Sequence, residues 1–329
     1  MNNVAIFLGY GNGTFSPATE FSTGDGSSPS FVQAGDFNND HILDIAVANY
    51  GTSGIVVLFG FGDGSFLLGT EYQTGVGSTP YAFAIGDFEN DFRLDVAVAN
   101  EKSNDISIFL GYDRELYAGI TLYSTGLGSQ PHSVAIGDLN EDGLSDIVVA
   151  NYRTDNIGIL FGRNDGVFDT ITTYSTGVGS APYSLSVADF NRDNHLDIVV
   201  TNSETDTITI LLGYSNGTFA IETTYSTGAR SRPYTVSVGD FNNDHILDIA
   251  IANSGTNNIF LLYGYGNGLF GNKTSYALGY GYDPYSIAVT DLNQDGWTDI
   301  AIACYGTDHV ETLIQRCYIR CHYIYFSIN

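Results

Sequence analysis

Hydrophobic residues in this chain occur in short runs that recur at a fixed interval. After residue 182, Tyr183–Ala188 alternates small and apolar side chains, and Leu196–Thr201 is almost continuously apolar. Ile208–Leu212 is a third apolar run, and Phe219–Tyr225 is more polar and rich in threonine. Period-two alternation predicts a half-buried strand, and an unbroken short apolar run predicts a strand buried on both faces. The pattern therefore predicts four β-strands, the last at an outer edge.

These four strands belong to a repeat of 51 residues. Its marker is a nine-residue segment with Asp at positions 1, 5 and 9, Phe or Leu at position 2 and Asn or Glu at position 3. The marker begins at Asp36, Asp87, Asp138, Asp189, Asp240 and Asp291. Such self-similarity indicates one repeat domain. Four antiparallel strands per repeat, about six times over, predict an all-β fold, a β-propeller of about six blades. A solenoid is the alternative, but it would need polar capping repeats, and neither end shows one.

Both ends of the chain match only part of the repeat. The N-terminal part resembles the third and fourth strands and the C-terminal part the first and second: Val4–Leu8, Phe15–Ser22, Tyr285–Thr290 and Ile300–Cys304. We expect these parts to complete one blade and so remove exposed sheet edges. His309–Ile314 would then be a surplus third strand. We assign residues 1–314 to the propeller and 315–329 to a divergent tail; a seven-bladed parent remains open.

Asn-Gly or Asp-Gly pairs separate the third and fourth strands of most repeats. Type I′ turns favour these pairs because both central residues need a positive φ. They predict two-residue hairpins at Asn12-Gly13, Asp63-Gly64, Asp165-Gly166, Asn216-Gly217 and Asn267-Gly268. Asn12, Asn216 and Asn272 also begin glycosylation sequons, although turn geometry alone explains the first two.

The nine-residue acidic loops offer side-chain oxygens at positions 1, 3, 5 and 9 and a backbone carbonyl at position 7. Hard oxygen ligands without His or Cys favour Ca²⁺ over transition metals, and the flexible geometry disfavours Mg²⁺. We predict up to six Ca²⁺ ions; the alternative is that the Asp and Asn residues only form turns. The predicted ligands are Asp36, Asn38, Asp40, Ile42 and Asp44; Asp87, Glu89, Asp91, Arg93 and Asp95; Asp138, Asn140, Asp142, Leu144 and Asp146; Asp189, Asn191, Asp193, His195 and Asp197; Asp240, Asn242, Asp244, Ile246 and Asp248; and Asp291, Asn293, Asp295, Trp297 and Asp299.

Charge supports a cation in these loops. The chain has 37 acidic residues against 11 basic ones and a formal net charge of −26, and the six loops hold about half of the acids. Clustered carboxylates repel one another, and we expect no lysine or arginine to pair with them. Position 6 favours a residue that tolerates left-handed backbone, so Phe92 makes the second loop the poorest candidate. A surface this negative repels nucleic acids and anionic lipids.

The repeat resembles the FG-GAP (VCBS-type) repeat of integrin α-subunit heads and of many secreted bacterial proteins. The segments ILLGYSNGTF, YSTGVGS and DFNRDNHLDI carry the resemblance, which covers roughly residues 3–307. It implies a bladed propeller with Ca²⁺ between the first and second strands and adhesion or ligand recognition on the opposite face. Six uniform acidic loops are more similar to the free-standing secreted members and to fungal propeller lectins than to integrin heads, which have only a few.

The loops on the opposite face differ among repeats, whereas the acidic loops hardly do. Different side chains at equivalent places can form one asymmetric binding surface, and Tyr and Arg are frequent binding anchors; neutral drift of exposed loops is the alternative. The candidate ligand-binding residues are Tyr50, Lys102, Tyr152, Arg153, Arg230, Arg232, Tyr280, Tyr282 and Tyr305. Tyr follows Pro at four of six junctions, which would suit repeated sugar pockets or core packing.

We predict a Ca²⁺-binding adhesion or ligand-binding propeller, with a glycan-binding lectin as the alternative and a hydrolase or lyase as the third. No local catalytic motif is visible, so we expect no enzymatic activity. The partner would be an extracellular protein or glycan, and the chain a monomer without membrane insertion, because no long apolar run occurs. Short loops with one Asn ligand should bind Ca²⁺ with Kd of roughly 10⁻⁴–10⁻³ M, which fits an extracellular or cell-surface location. No signal peptide is visible, so we expect an upstream segment to be missing.

Overall fold

The computed structural model describes residues 2–112, 117, 119–318 and 320–328, without the side chains of 272 and 316–328. The chain divides into two compact units. One comprises Met1–Ile6 and Ala18–Pro182, and the other comprises Phe7–Pro17 and Tyr183–Asn329. We call them the first and second units.

The first unit contains sixteen strands in its described part. They are β1 (Asn3–Ile6), β2 (Thr19–Ser22), β3 (Pro29–Gly35), β4 (Asp44–Asn49), β5 (Gly54–Gly60), β6 (Phe66–Gln73), β7 (Pro80–Gly86), β8 (Asp95–Asn100), β9 (Asp105–Phe109), β10 (Thr121–Ser124), β11 (Pro131–Gly137), β12 (Asp146–Asn151), β13 (Asn156–Leu160), β14 (Gly162–Arg163), β15 (Val167–Phe168) and β16 (Thr172–Ser175). A single 3₁₀ turn, Asn164–Gly166, joins β14 to β15.

The described part of the second unit has twelve strands. They are β17 (Pro182–Ala188), β18 (Asp197–Asn202), β19 (Thr207–Gly213), β20 (Phe219–Ser226), β21 (Pro233–Gly239), β22 (Asp248–Asn253), β23 (Asn258–Gly264), β24 (Phe270–Ala277), β25 (Pro284–Thr290), β26 (Asp299–Cys304), β27 (His309–Tyr318) and β28 (Arg320–Ile328).

The fold is an all-β, six-bladed propeller. Six four-stranded antiparallel sheets lie in the described residues, each with its strands paired in chain order, and two further sheets, β1–β2 and β14–β15, have two strands. The second strand is the buried element of each blade: β4, β8, β12, β18 and β22 are buried at every position. The fourth strands are largely exposed, as in β20. The predicted strands in residues 183–225 agree with β17–β20 to within one residue at either end.

The C-terminal strands differ from the prediction. Strands β25 and β26 pair on into β27 and β28, so His309–Tyr318 is the third strand of the last blade and not a surplus one. Strands β1 and β2 pair with each other in a two-stranded sheet of the first unit. The expected completion of one blade by the two partial repeats was therefore wrong. Strand pairing uses backbone groups, so β28 can form without matching the repeat in side chains. The division into residues 1–314 and a tail stays a prediction.

The hairpin turns also differ from the two-residue type I′ prediction. Tyr10 N–H donates to the carbonyl of Thr14 at 2.9 Å, leaving three residues in the turn. Positive φ falls on Gly11 and Gly13, not on Asn12. Asn12 instead accepts the Thr14 N–H through Oδ1 at 3.0 Å, an Asx turn. Asp165-Gly166 is the predicted pair in which both residues have a positive φ.

Candidate functional site

All six acidic loops fold in the same way, around the carboxylate at position 1. In the first loop, Asp36 accepts the backbone N–H of Asp40 through Oδ1 at 3.0 Å and that of His41 through Oδ2 at 2.8 Å. Asp40 in turn accepts the N–H of Ile42 at 2.8 Å, and Asn38 accepts that of Asp40 at 2.9 Å. Short polar side chains that capture nearby N–H groups hold the loop in one conformation.

Left-handed backbone accompanies these bonds at two positions per loop. The prediction for position 6 is confirmed, with φ of 66° at His41, 66° at Phe92 and 82° at Gly143. Position 4 is left-handed as well, as at Asn39 with φ of 57°. The left-handed backbone at position 4 was not predicted, although Asn, which tolerates this conformation better than most other residues with a side chain, occurs there in three of the six repeats.

The aspartate at position 9 opens the second strand and is fully buried in all six repeats. In the fourth repeat, Asp197 Oδ2 accepts the N–H of Phe190 at 2.8 Å and Oδ1 accepts the N–H of Gly213 at 2.9 Å. Burial, assisted by the neighbouring carboxylates Asp193 and Asp189, raises the pKa of Asp197 to about 6 although both hydrogen bonds act the other way. The same causes raise the pKa of Asp248 to about 6. A buried carboxylate with other carboxylates beside it would be stabilised by a cation.

Counter-charges in the loops are few, but the expectation of none was wrong. Arg93 Nε lies 3.3 Å from Asp91 Oδ2 in the second loop, so this loop carries its own cation. His41 and His245 lie 3.7 and 3.8 Å from Asp36 and Asp240. Arg93 follows Asp91 by two residues, and a side chain that long can turn back onto its own loop.

The donor set of each loop is chemically suited to Ca²⁺, since it consists of oxygen atoms only. Among the described residues, however, no group of three or more His, Cys, Asp or Glu side chains is arranged so that it could hold a metal ion. The carboxylates point at backbone N–H groups, as at Asp36 and Asp40. A cation in these loops would therefore also need Asn side chains and backbone carbonyls as ligands.

At the other end of the strands, two kinds of loop are tied together by backbone hydrogen bonds. The residues after the second strand donate to the loop that precedes the first strand. Glu101 N–H reaches the Thr79 carbonyl at 3.0 Å, and Tyr152 N–H reaches the Gln130 carbonyl at 3.1 Å. A buried Thr–Ser contact fixes the preceding loop, as between Thr125 and Ser129 at 2.7 Å. Side chains at these places therefore project from rigid backbone.

In the first unit, this end carries a charged aromatic cluster. The His132 ring is stacked between Tyr81 and Tyr152, with centroids 4.2 and 4.4 Å away and planes 9° apart in both pairs. His132 Nε2 lies 3.9 Å from Glu101 Oε1. This neighbouring ring, followed by a hydrogen bond from Tyr50 and the charge of the adjacent lysine, holds the pKa of Glu101 below its usual value despite partial burial.

The second unit carries tyrosines at the equivalent places. Tyr183 stacks on Tyr234 with centroids 4.4 Å apart, and its hydroxyl lies 2.6 Å from that of Tyr285. Tyr305 is 75% exposed and its ring lies 6.2 Å from that of Tyr285. The guanidinium of Arg232 lies over the Tyr234 ring at 5.7 Å. These aromatic side chains form a partly open surface.

The structure distributes the predicted ligand-binding residues over both units. Lys102 Nζ lies over the Tyr50 ring at 5.4 Å, and Tyr152 belongs to the His132 stack. Arg153, Arg230 and Tyr280 are exposed, whereas Tyr282 packs against the core and the edge of His309. Glu101 was not among the predicted residues; its signal in the sequence is a lone acid at a position held by Tyr or Ser in the other repeats.

The predicted glycosylation sites stay predictions. Asn12 and Asn216 are exposed in their hairpins, and each accepts a hydrogen bond from the threonine of its sequon, at 2.6 and 2.7 Å. Asn272 lies in β24, and its side chain is outside the described part of the structure.

The FG-GAP-like repeat matches residues 1–47, 87–149, 138–200, 189–251 and 240–302 of this chain. The chain belongs to the FG-GAP-like repeat family. The match confirms the resemblance drawn from the repeat. It covers both the hairpin between the third and fourth strands and the acidic loop that follows.

Individual proteins resemble the chain less closely. Cartilage acidic protein 1 of Xenopus tropicalis is 30% identical over 189 residues, which cover 54% of this chain and 28% of that protein. Virginiamycin B lyase from Staphylococcus aureus has a TM-score of 0.65 at 15% identity, covering 98% of this chain and 88% of the lyase. A candidate 6-phosphogluconolactonase from Bacteroides uniformis has a TM-score of 0.72 at 15% identity, covering 100% of this chain and 98% of that protein.

The expectation that this protein has no enzymatic activity is contradicted by these comparisons. Solved structures with the same fold include a lyase and a candidate lactonase. At 15% identity they establish the fold and assign no reaction to this chain. The expectation depended on the lack of a local catalytic motif, but a site built from loops of several blades leaves no such motif. In the described residues, no helix is long and apolar enough to cross a membrane.

Proposed function

We propose that this FG-GAP propeller is an extracellular, calcium-stabilised protein that binds a ligand through the loops opposite its acidic loops. The observation that carries the proposal is the six-fold recurrence of one oxygen-rich loop conformation above a buried aspartate. Turn formation alone would not need three carboxylates in every loop, since Asn and Gly form such turns without charge.

Calcium would offset a large electrostatic cost. The chain has a net charge of −26. In each loop the buried carboxylate, such as Asp248, lies near two further acids that disfavour its ionisation. In every loop but the second, the sequence supplies position 3 as Asn, which adds a neutral oxygen to three carboxylates. Such a site suits Ca²⁺, which accepts six to eight oxygen ligands in flexible geometry.

An expected calcium affinity and the name of a relative support an extracellular location. Short loops that retain backbone hydrogen bonds should bind Ca²⁺ weakly, with Kd of about 10⁻⁴–10⁻³ M, so only extracellular calcium would fill them. The name of the Xenopus relative refers to cartilage, although that protein is matched over only 28% of its length.

The ligand would bind to the aromatic and charged side chains held at the other end of the strands. Tyr and Arg are residue types that frequently anchor ligands. Tyr305 and Lys102 are exposed there, next to fixed backbone. The two units offer different chemistry, Glu101 with His132 in one and a tyrosine surface in the other.

Glycan binding is the second candidate. The observation that favours it is the set of tyrosines at repeat-equivalent positions in the second unit, where Tyr183, Tyr234 and Tyr285 contact one another and Tyr305 is exposed. Tyrosine offers an apolar face with a hydroxyl at its edge, which suits a sugar ring.

Metal analysis and thermal unfolding test the calcium proposal. The purified protein should contain calcium, and EGTA should lower its Tm, because an ion that binds only the folded state contributes about 1 kcal/mol per site at about 2 mM Ca²⁺. Mg²⁺ at the same concentration should restore far less of the lost Tm than Ca²⁺ does. A calcium-free protein whose Tm does not respond to Ca²⁺ would refute the calcium proposal.

Binding to panels of immobilised glycans and extracellular proteins tests the ligand-binding proposal, and Tyr305→Ala should weaken the interaction that is found.

A further inference from the structure

One inter-blade loop breaks the repeat at a position of restricted backbone. The position three residues before the conserved proline is glycine in five repeats, Gly26, Gly77, Gly128, Gly179 and Gly281, with φ between 68° and 81°. In the fifth repeat the residue is Arg230, and its φ is 62°. A side chain in this left-handed region costs about 1 kcal/mol, and arginine has no special tolerance for it.

A second arginine follows in the same loop. Arg232 lies immediately before Pro233 and has a positive φ of 46°, as the residue at this position has in every repeat. Both arginines are exposed. They are two of only 11 basic residues in a chain with 37 acidic ones. A strained position that holds an exposed cation is better explained by recognition than by stability.

The loop that presents the two arginines is held rigidly. Asp206 accepts the backbone N–H of Arg230 through Oδ2 at 2.6 Å and that of Arg232 through Oδ1 at 3.0 Å. Asp155 clamps the equivalent loop of the preceding repeat in the same way. The clamp uses backbone groups, so it leaves the guanidinium of Arg230 available for a ligand.

The surroundings of Arg232 indicate the chemistry of that ligand. Its guanidinium lies over the Tyr234 ring at 5.7 Å and 3.8 Å from Glu204 Oε1. That ion pair is half exposed on both sides, so it is worth little and can be exchanged. Tyr234 continues into Tyr183 and Tyr285, so the cations border an aromatic surface.

We infer that Arg230 and Arg232, together with the tyrosines beside them, bind an acidic sugar, with the guanidinium groups on its carboxylate or sulfate and a tyrosine ring against its apolar face. Arginine binds carboxylates and tetrahedral oxyanions of the phosphate type through two parallel hydrogen bonds, which gives specificity as well as affinity. Because the whole protein is strongly negative, an anion needs such a local pair of cations to bind here. The inference rests on the proposed function, since it names the ligand class for that face.

Restoring the glycine of the repeat is the decisive test. Arg230→Gly should raise Tm by about 2 °C, because it removes the strained backbone, and should weaken binding of an acidic tetrasaccharide at least about tenfold, because it removes a charge-assisted contact. The probes are a hyaluronan tetrasaccharide, a sulfated chondroitin tetrasaccharide and neutral chitotetraose, measured by calorimetry at low and high salt. Arg163→Gln removes the same charge in the other unit, where Arg163 pairs with Asp169, and should leave binding unchanged.

Equal binding of the acidic sugars by the wild type and by Arg230→Gly would overturn the inference. It would also be overturned if the wild type bound neutral chitotetraose as tightly as the acidic tetrasaccharides. Preferential binding of a hexaglutamate peptide would overturn it as well, by indicating an acidic protein as ligand. If none of these probes binds while the glycan and protein panels still yield a ligand sensitive to Tyr305→Ala, the inference fails and the proposed function stands. A Tm that falls in Arg230→Gly would show that the arginine is held for stability.

Discussion

The N–H of Gly213 donates to Oδ1 of Asp197 at 2.9 Å and so joins the end of β19 to the start of β18. The other oxygen of Asp197 accepts the N–H of Phe190, at the beginning of the acidic loop. Each of the other five blades contains the same pair of bonds, for example from Gly264 and Phe241 to Asp248. The aspartate at position 9 is thus a structural acceptor for two buried N–H groups.

Removal of this acceptor should destabilise the protein even without calcium. Asp197→Ala leaves two buried N–H groups without partners, which predicts a loss of about 3 kcal/mol in the free energy of unfolding. Asp197→Asn keeps one acceptor oxygen and should lose about 1 kcal/mol. Urea unfolding in EGTA measures both. If Asp197→Ala is harmless in EGTA and harmful only with calcium, the aspartate is a metal ligand without a structural role.

The glycine that ends the third strand is required by a close backbone contact. A Cβ on Gly213 would lie 2.2 Å from the carbonyl oxygen of Leu196, a distance that forces the strands apart. Gly213→Ala should therefore cost about 2–3 kcal/mol, as overpacked cores do. Gly119→Ala is the matched control, because a Cβ there would meet no atom of the described residues within 4 Å. Equal stability of the two variants would contradict this account.

These contacts show which features the sequence could predict. Strands such as Phe219–Ser226 follow from local hydrophobic periodicity, and the acidic loops follow from residue types at fixed spacing. The bond from Gly213 to Asp197 spans 16 residues, and the His132 stack joins residues from two neighbouring blades. No local hydrophobic pattern marks such contacts, because the first depends on how two strands of one blade pair and the second on how neighbouring blades pack.

The last strand, β28, was missed for a different reason. Residues 315–329 match no other part of the repeat, and β28 is held to β27 by backbone pairing over nine residue pairs. Backbone hydrogen bonds need no particular side chain, so a sequence comparison between repeats cannot detect them.

Phe92 occupies a left-handed position where two other repeats have glycine. Its φ is 66° and its side chain is 89% exposed, so the ring gains little packing in return. Phe92→Gly should raise the free energy of unfolding by about 1 kcal/mol, by removing the Cβ clash. Phe92→Ala removes the same ring but keeps the Cβ, and should change stability by less than about 0.3 kcal/mol. Thermal melts of both variants separate the effect of backbone strain from that of losing the ring. An equal gain in stability in both would mean that the exposed ring, and not the backbone strain, destabilises the protein.

His309 and Glu311 should make the last blade sensitive to pH. His309 Nδ1 lies 2.9 Å from the Thr307 carbonyl and Nε2 lies 2.9 Å from Glu311 Oε1, so the protonated ring donates both hydrogens. The contact with Thr307, more than that with Glu311, raises the pKa of His309 above its ordinary value of 6.5.

A raised histidine pKa contributes stability that is fully present below the unfolded-state pKa and is lost as pH rises through the folded-state pKa. The stability difference between the wild type and His309→Gln should therefore be larger at about pH 5.5 than at about pH 8.5. Urea unfolding of both proteins at each pH measures it, and the comparison cancels the titration of the many acids. Glu311→Gln should reduce the same pH dependence, and a difference that grows towards high pH would show that the ring is held in its neutral form.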